Sequence, residues 1–196
     1  MELMKSSINA ILENIRNAEE YLDPKVIDKF LNIIIESKNV FLIGAGRSGL
    51  VAKAFAMRLM HLGISSYVVG ETISPAIYDD DCIIAISGSG ETNTIVSAVK
   101  IAKSRGSKVL ALTSYPDSTL ADLSDCFILV KGRTKIESDD ENYMKRQIHG
   151  NYTSLTPLGT AFELTTLVFL DALVSELMEM MHQTESDLKS RHTVLE

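Results

Sequence analysis

Apolar positions along the chain follow two different periods. Short, nearly continuous apolar runs alternate with longer segments in which apolar residues recur every three or four positions. The short runs are typical of parallel strands that are covered on both faces, and the longer segments are typical of amphipathic helices. The predicted strands are residues 40–44, 65–70, 82–87, 108–113 and 126–130.

Capping residues mark where several of the predicted helices begin and end. Asp23 followed by Pro24 starts one helix, Gly63 ends another, and Thr156 with Pro157 starts a long C-terminal helix. The predicted helices are residues 3–21, 24–37, 48–63, 92–106, 156–181 and 185–192.

Strands that alternate with helices predict an α/β fold with right-handed crossovers. We expect a three-layer, doubly wound, five-stranded parallel sheet with the flavodoxin-like strand order 2-1-3-4-5, flanked by N-terminal helices and a long C-terminal helix. One domain accounts for all 196 residues. Its parts are the N-terminal helices 1–37, the sheet core 38–130, a polar insert 131–155 and the C-terminal helices 156–196.

Composition narrows the class of partner. Hydrophobic residues make up 45% of the chain and charged residues 23%, as in globular proteins. Because 19 basic side chains face 26 acidic ones, for a net charge of -7, a duplex nucleic acid is not an expected partner. A phosphorylated small molecule stays compatible with this charge, since one local pocket can be positive on an acidic protein.

The remaining bulk features favour a cytoplasmic protein without a metal. Cys82 and Cys126 lack metal-ligand spacing and are expected to be small core residues. The N-terminus has no uninterrupted apolar segment of the kind found in signal peptides. Charged residues such as Glu163, Asp171 and Glu176 interrupt the most apolar stretch, which favours a buried helix over a membrane span.

A glycine-rich loop follows the first strand. Gly44, Gly46 and Gly49 form a G-x-G-x-x-G pattern that leads into a helix, where free N–H groups and the helix dipole attract anions. The same pattern serves dinucleotides, and Glu71 lies about 20 residues further on, where such folds place a ribose-binding acid. From this loop alone, a dinucleotide and a single phosphate are equally possible as the ligand.

A second loop, after the third strand, interleaves hydroxyls with glycines. Hydroxyls can donate to phosphate oxygens, and glycines let the backbone approach closely. An ordinary helix cap would need only one such residue, for which Thr92 is suitable. The loop residues are Ser87, Gly88, Ser89, Gly90, Glu91 and Thr92.

The expected topology brings the two loops together. In the order 2-1-3-4-5, strands 1 and 3 are neighbours, and ligands bind at this switch point beyond the carboxyl ends of the strands. Both loops could hold one phosphate there, so a monophosphate is favoured over a dinucleotide. Gly46, Arg47 and Ser48 would line the site, with Arg47 available for the phosphate charge or a sugar oxygen, or else for a structural ion pair.

Three segments carry a resemblance to a known family. They are GAGRSGLVAKAFAMRLMHLG at 44–63, AISGSGET at 85–92 and LTPLGTAFELTTLVFLDALV at 155–174. Together they resemble sugar isomerase (SIS) domains and, more narrowly, the 6-phospho-3-hexuloisomerases. The similarity runs over nearly the whole chain, including the polar insert and the terminal RHTVLE.

The resemblance implies an isomerase that converts D-arabino-3-hexulose 6-phosphate into fructose 6-phosphate through a cis-enediol. This is the second step of ribulose monophosphate formaldehyde fixation, or of its reverse. The resemblance further implies a phosphosugar ligand, no cofactor, a homo-oligomer of four subunits, and 3-hexulose-6-phosphate synthase as a pathway partner. It assigns phosphate binding to Ser48, Ser87, Ser89 and Thr92, and the role of catalytic base to Glu163.

The pattern of the long helix supports Glu163 independently. Isomerisation needs one group to move a proton between neighbouring carbons, and a carboxylate suits that step when its environment raises its pKa toward neutrality. An acid favoured by the dipole of a helix N-terminus is the simpler alternative. The apolar stripe of the helix contains Glu163, Leu167, Leu170, Val174 and Leu177.

Two histidines are further candidates. From the pattern alone, His61 is a cation at a helix C-terminus, whereas the resemblance makes it a candidate proton shuttle or ring-opening acid. His192 lies near the end of the chain, where it is either solvated or able to reach the site of a neighbouring subunit.

Other functions stay open at this point. The nearest are SIS isomerases of arabinose 5-phosphate or sedoheptulose 7-phosphate. A non-catalytic SIS module that senses a phosphosugar is a different class. An oxidoreductase would use the glycine pattern and Glu71 but leaves the second loop without a role.

Overall fold

The computed structural model describes residues 1–132 and 159–193. Its five parallel strands lie in the order β2-β1-β3-β4-β5, which confirms the predicted doubly wound sheet. The strands are β1 Val40–Gly44, β2 Ser66–Val68, β3 Cys82–Ile86, β4 Lys108–Thr113 and β5 Cys126–Leu129.

Helices surround the sheet as the strand–helix alternation requires. The helices are α1 Glu2–Ala18, α2 Pro24–Glu36, α3 Arg47–His61, α4 Asn93–Ser104, α5 Thr119–Leu123, α6 Thr160–Met180 and α7 Glu185–Ser190. The Asp23 side chain accepts the N–H of Lys25 at 2.9 Å, which confirms the predicted cap of α2. The predicted cap of the long helix, Thr156 and Pro157, lies outside the described residues, and α6 begins after Gly159.

The structure differs from the sequence prediction in several places, and β2 spans Ser66–Val68 rather than residues 65–70. The first helix ends at Ala18 and is followed by a separate 3-10 turn, Glu19–Tyr21. Helix α5 was not predicted, because five residues are too few to show a helical period. The Ser118 hydroxyl caps α5 by accepting the N–H of Ala121 at 3.3 Å, and this serine was the only local signal for a helix start.

Alternate side chains of the strands form two cores, one on each face of the sheet. One core packs against α2, α3 and α6, and the other against α4 and α5. The first core includes Val40, Leu42, Ile84, Ile86, Leu110 and Leu112, and the second includes Phe41, Ile43, Ile83, Ala85, Val109 and Ala111. The protein therefore has the predicted three layers.

Both cysteines are buried, as predicted. Cys82 and Cys126 lie at the first positions of β3 and β5. Burial raises the pKa of the Cys82 thiol to about 12, so this side chain stays protonated and unreactive at neutral pH.

The switch point between β1 and β3 opens a crevice at the carboxyl edge of the sheet. Gly44 at the end of β1 pairs with Ile86 at the end of β3, so the two loops start level with each other. After β1 the chain goes to α3 on one face, and after β3 it goes to α4 on the other. A Cβ on Gly44 would lie 2.5 Å from the carbonyl oxygen of Ser48, so the tight turn into α3 requires glycine there.

Two remaining predictions are only partly covered by the structure. Of the polar insert 131–155, Lys131 and Gly132 are described and the rest lies outside the described residues. Across residues 1–132 and 159–193, the helices are too short or too polar for any of them to cross a bilayer.

Candidate active site

A cavity of about 370 Å³ lies at the switch point. This volume is within the range of small-molecule sites, which place a few polar groups in a largely preformed cleft. Both predicted loops reach it, together with the beginning of α6. The lining residues are Ala45, Gly46, Arg47, Ser48, Ile86, Ser87, Gly88, Ser89, Thr92, Gly159, Phe162 and Glu163.

Three helix N-termini converge on this cavity. Helices α3, α4 and α6 start at its wall, and in none of the three does an N-cap side chain accept a backbone N–H, since two of these caps are glycines. By contrast, the N-cap side chains of α2, α5 and α7 all accept a backbone N–H, and those helices start away from the cavity. First-turn N–H groups and three helix dipoles therefore favour an anion in the cavity.

The hydroxyls of the second loop lie together at the cavity wall. Ser87 Oγ and Thr92 Oγ1 are 3.2 Å apart, and the Gly90 N–H donates to Ser87 Oγ at 3.2 Å. Ser89 Oγ accepts the N–H of Glu91 at 3.2 Å. Because Thr92 makes no side-chain cap to α4, its hydroxyl can serve a ligand, contrary to the simple capping alternative.

Glu91 and Gly90, two candidate residues of the second loop, do not line the cavity. The Glu91 carboxylate accepts the backbone N–H of Thr119 at 2.6 Å and its hydroxyl at 2.8 Å. These bonds lower the pKa of Glu91 and place its charge at the start of α5. Gly90 has φ +67°, and a Cβ there would lie 2.2 Å from Ser118 Oγ. Both residues therefore face the start of α5 and support the loop on the side away from the cavity.

Glu163 enters the cavity from the first turn of α6. Its side chain is 14% exposed, and Leu170 and Val174 further along the predicted stripe are buried. The Arg47 Nε donates to Glu163 Oε2, joining two residues that lie 116 positions apart. Arg47 thus forms an ion pair, which was one of the alternatives predicted for it. This pair lies inside the cavity that a phosphate would occupy.

Two lining residues at the start of α6, Gly159 and Phe162, were not predicted from the sequence. Gly159 has φ +85°, and a Cβ there would lie 3.1 Å from Glu163 Oε1, so glycine at this position leaves room for the carboxylate. Phe162 is buried and forms an apolar part of the cavity wall. A glycine directly before the long apolar helix was the signal for this helix start.

Glu71, the acid of the dinucleotide alternative, does not line the cavity. Its carboxylate pairs with Lys53 on α3 at 2.6 Å, and both side chains are about half exposed. The ribose-binding role that its spacing suggested is therefore not supported by its position.

The two candidate histidines contact each other at the other end of α3. Their rings stack with centroids 5.0 Å apart. His61 is 4% exposed, and Arg191 donates to its backbone carbonyl at 3.1 Å. Helix α3 separates His61 from Arg47 by about 20 Å at 1.5 Å per residue. Within one chain the structure therefore does not bring the histidines to Glu163.

The stacked histidines predict a stability that depends on pH. Burial lowers the pKa of His61 below 6.5, and the charges of His192 and Arg58 lower it further. The unfolded chain binds this proton more readily than the folded chain. The contribution of neutral His61 to the free energy of unfolding is therefore fully present above pH 6.5 and is lost as the pH falls toward the lower pKa of the folded state. The slope is at most about 1.4 kcal/mol per pH unit for this one proton.

Replacing His61 by glutamine should remove most of this dependence. The measurement is the free energy of unfolding in guanidinium chloride at pH 5.5 and 7.5, compared between the wild type and His61→Gln. His182→Gln changes an exposed histidine and is the matched control, which should keep the wild-type difference. An unaltered pH dependence in His61→Gln would contradict the assignment.

The fold and cavity together define a class of protein. A doubly wound sheet that directs three helix N-termini and two hydroxyl-bearing loops into one cavity is built to bind a small phosphorylated ligand. A carboxylate in the same cavity adds a group that can exchange protons.

Comparison with known proteins gives the family. Residues 33–144 match the family model of the SIS domain. The chain is 37% identical over 186 residues to the 3-hexulose-6-phosphate isomerase of Bacillus subtilis, with 95% of each chain covered. It is 37% identical over 195 residues to the Methylomonas aminofaciens protein of the same name, covering 100% of this chain and 97% of that one.

A solved structure agrees with the sequence comparison. The crystal structure of a Methanococcus jannaschii protein, interpreted as a 3-hexulose-6-phosphate isomerase, is 31% identical with a TM-score of 0.81. It covers 97% of this chain and 99% of its own. The chain belongs to the SIS domain family, together with these relatives.

Proposed function

We propose that this chain is a 3-hexulose-6-phosphate isomerase, which interconverts D-arabino-3-hexulose 6-phosphate and fructose 6-phosphate. The observation that carries the proposal is the shared cavity, in which the hydroxyls of Ser87 and Thr92 and the carboxylate of Glu163 line one space. The names of the relatives in Bacillus subtilis and Methylomonas aminofaciens supply the substrate.

The phosphate would be held where the helix N-termini converge. Ser48, Ser87, Ser89 and Thr92 would donate hydrogen bonds to its oxygens, and the backbone at Gly46 and Gly88 leaves space for close approach. This anchoring fixes the sugar carbons beside α6, so that the reacting bond lies within reach of Glu163.

The proton transfer then proceeds between two neighbouring carbons. Glu163 removes the proton from C2, the electrons of the C–H bond form the C2–C3 double bond, and O3 takes up a proton. The protonated carboxyl returns its proton to C3 while O2 loses its proton, which leaves the carbonyl at C2. Every proton and electron pair is recovered, so the reaction needs no redox partner.

The remaining features point to assembly. Helix α1 has no buried residue, although its face carries the exposed apolar side chains of Leu3, Met4, Ile8 and Leu12. Such a face on a helix favours contact with another subunit, and we propose a homotetramer that works beside the synthase making its substrate. For His61 and His192, a role in the reaction requires the cavity of a second copy.

A coupled assay tests the proposed function. The substrate is made in place from ribulose 5-phosphate and formaldehyde by an authentic 3-hexulose-6-phosphate synthase, and fructose 6-phosphate is measured as it forms. We expect formation that depends on this protein, with arabinose 5-phosphate and sedoheptulose 7-phosphate converted far more slowly. No fructose 6-phosphate in the presence of active synthase would reject the proposal, and binding without turnover would favour a phosphosugar sensor.

A further inference from the structure

The ion pair inside the cavity joins Arg47 to Glu163. In the proposed reaction Arg47 would bind the phosphate, and Glu163 would act as the base. Arg47 is the first residue of α3, and its side chain is 58% exposed. Glu163 lies in the first turn of α6, and its side chain is 14% exposed. While Arg47 Nε donates to Glu163 Oε2, the guanidinium occupies that oxygen, and a proton from carbon would have to displace it.

A phosphate in the same cavity competes for this arginine. Phosphate carries more charge than a carboxylate and matches the planar guanidinium in a bidentate geometry. The exposed side chain of Arg47 can turn, whereas Glu163 is confined next to Gly159 and the buried start of α6. Moving the arginine is therefore the easier rearrangement.

We propose that the phosphate of the substrate draws Arg47 away from Glu163, so that phosphate binding uncovers the base. The proposal rests on the proposed function, in which Glu163 is the base. It makes Arg47 a specificity-determining residue, because a sugar without a phosphate meets a carboxylate that is still covered. Binding of the phosphate group and release of the base are then one coupled event.

The coupling can be measured without catalysis. If phosphate and Glu163 compete for one guanidinium, then Glu163→Gln should tighten the binding of inorganic phosphate by about tenfold, within the usual range of coupling between sites. Simple charge repulsion between Glu163 and phosphate would also give tighter binding. The two causes separate in an Arg47→Ala background, where competition is gone and repulsion remains.

The experiment is a double-mutant cycle by isothermal titration of inorganic phosphate at low ionic strength. We expect about tenfold tighter binding from Glu163→Gln alone, and a change within about twofold when Arg47→Ala is also present. Asp171→Asn is the matched control, because Asp171 forms the other ion pair between α3 and α6, with Arg58 at 3.2 Å, away from the cavity. Equal tightening in both backgrounds, or none from Glu163→Gln, would overturn the proposal.

A second measurement uses the unaltered protein. Deuterium exchange at C3 of fructose in D₂O, followed by proton NMR, should be about tenfold faster when inorganic phosphite is added, because phosphite recruits Arg47 as the missing phosphate group would. No acceleration would overturn the proposal. Exchange at C3 of fructose 6-phosphate in the same buffer tests the proposed function separately, because its absence would reject the isomerase. In that case the double-mutant cycle with inorganic phosphate would still test whether phosphate draws Arg47 away from Glu163.

Discussion

Glu163→Gln is expected to lower kcat by about 10⁴-fold, the upper range for losing a general base. Glutamine keeps the size and most contacts of the side chain but cannot take up a proton from carbon. The hydroxyls proposed to hold the phosphate come from α3, α4 and their loops, so the substitution on α6 leaves them in place. Fructose 6-phosphate should therefore bind at least as tightly as to the wild type.

The measurement combines the coupled assay for kcat with titration calorimetry for binding. Glu176→Gln is the matched control, because Glu176 lies exposed on the same helix and should keep full turnover. Retained turnover in Glu163→Gln would move the base elsewhere, with His61 of a second copy as the next candidate. Loss of binding together with turnover would indicate a structural role instead.

Removing two hydroxyls of the second loop should have the next largest effect. Ser87→Ala combined with Thr92→Val removes the two hydroxyls proposed to donate to the charged phosphate, and each such hydrogen bond is worth about 1.5–3 kcal/mol. A phosphate held by these hydroxyls would be bound in both the ground state and the transition state, so the loss should appear mainly as a KM raised by roughly 10²- to 10⁴-fold.

Initial rates over a range of substrate concentration separate KM from kcat in this variant. Thr94→Val is the matched control, since Thr94 is exposed on α4 and does not line the cavity. Its KM should stay at the wild-type value. A double variant that lowers kcat while leaving KM unchanged would show that these hydroxyls do not hold the phosphate.

The sheet and its two loops were predictable because their signals are local. Continuous apolar runs identified the five strands, and the expected order placed the loops after β1 and β3 at one edge, as observed. The hydroxyl and glycine content of the second loop also pointed to an anion. Each of these signals lies within a short stretch of sequence.

Features that depend on distant parts of the chain were not predictable in the same way. The Arg47–Glu163 pair spans 116 positions, and only the packing of α6 on α3 brings it about. Glu91 lies in the second loop, yet its carboxylate accepts the N–H of Thr119, a contact for which the local sequence has no signal. The contact of His61 with His192 likewise depends on where the chain end packs.

The convergence of three helix N-termini links the sequence to the chemistry. The N-cap residues of α3 and α6 are glycines, and the Thr92 hydroxyl before α4 contacts Ser87 Oγ rather than a helix N–H, so these helix starts stay open to a ligand. Helices α2, α5 and α7 instead close their starts with the side chains of Asp23, Ser118 and Thr184. The three helix starts at the cavity thus leave their positive ends available where a phosphate would be held.

A crystal structure with fructose 6-phosphate tests this arrangement most directly. The account predicts the phosphorus atom between the loops after β1 and β3, with Ser87 and Thr92 hydroxyls in hydrogen-bond contact and the Glu163 carboxylate beside C2 and C3. A phosphate bound away from these loops, or a sugar whose C2–C3 bond points away from Glu163, would contradict it.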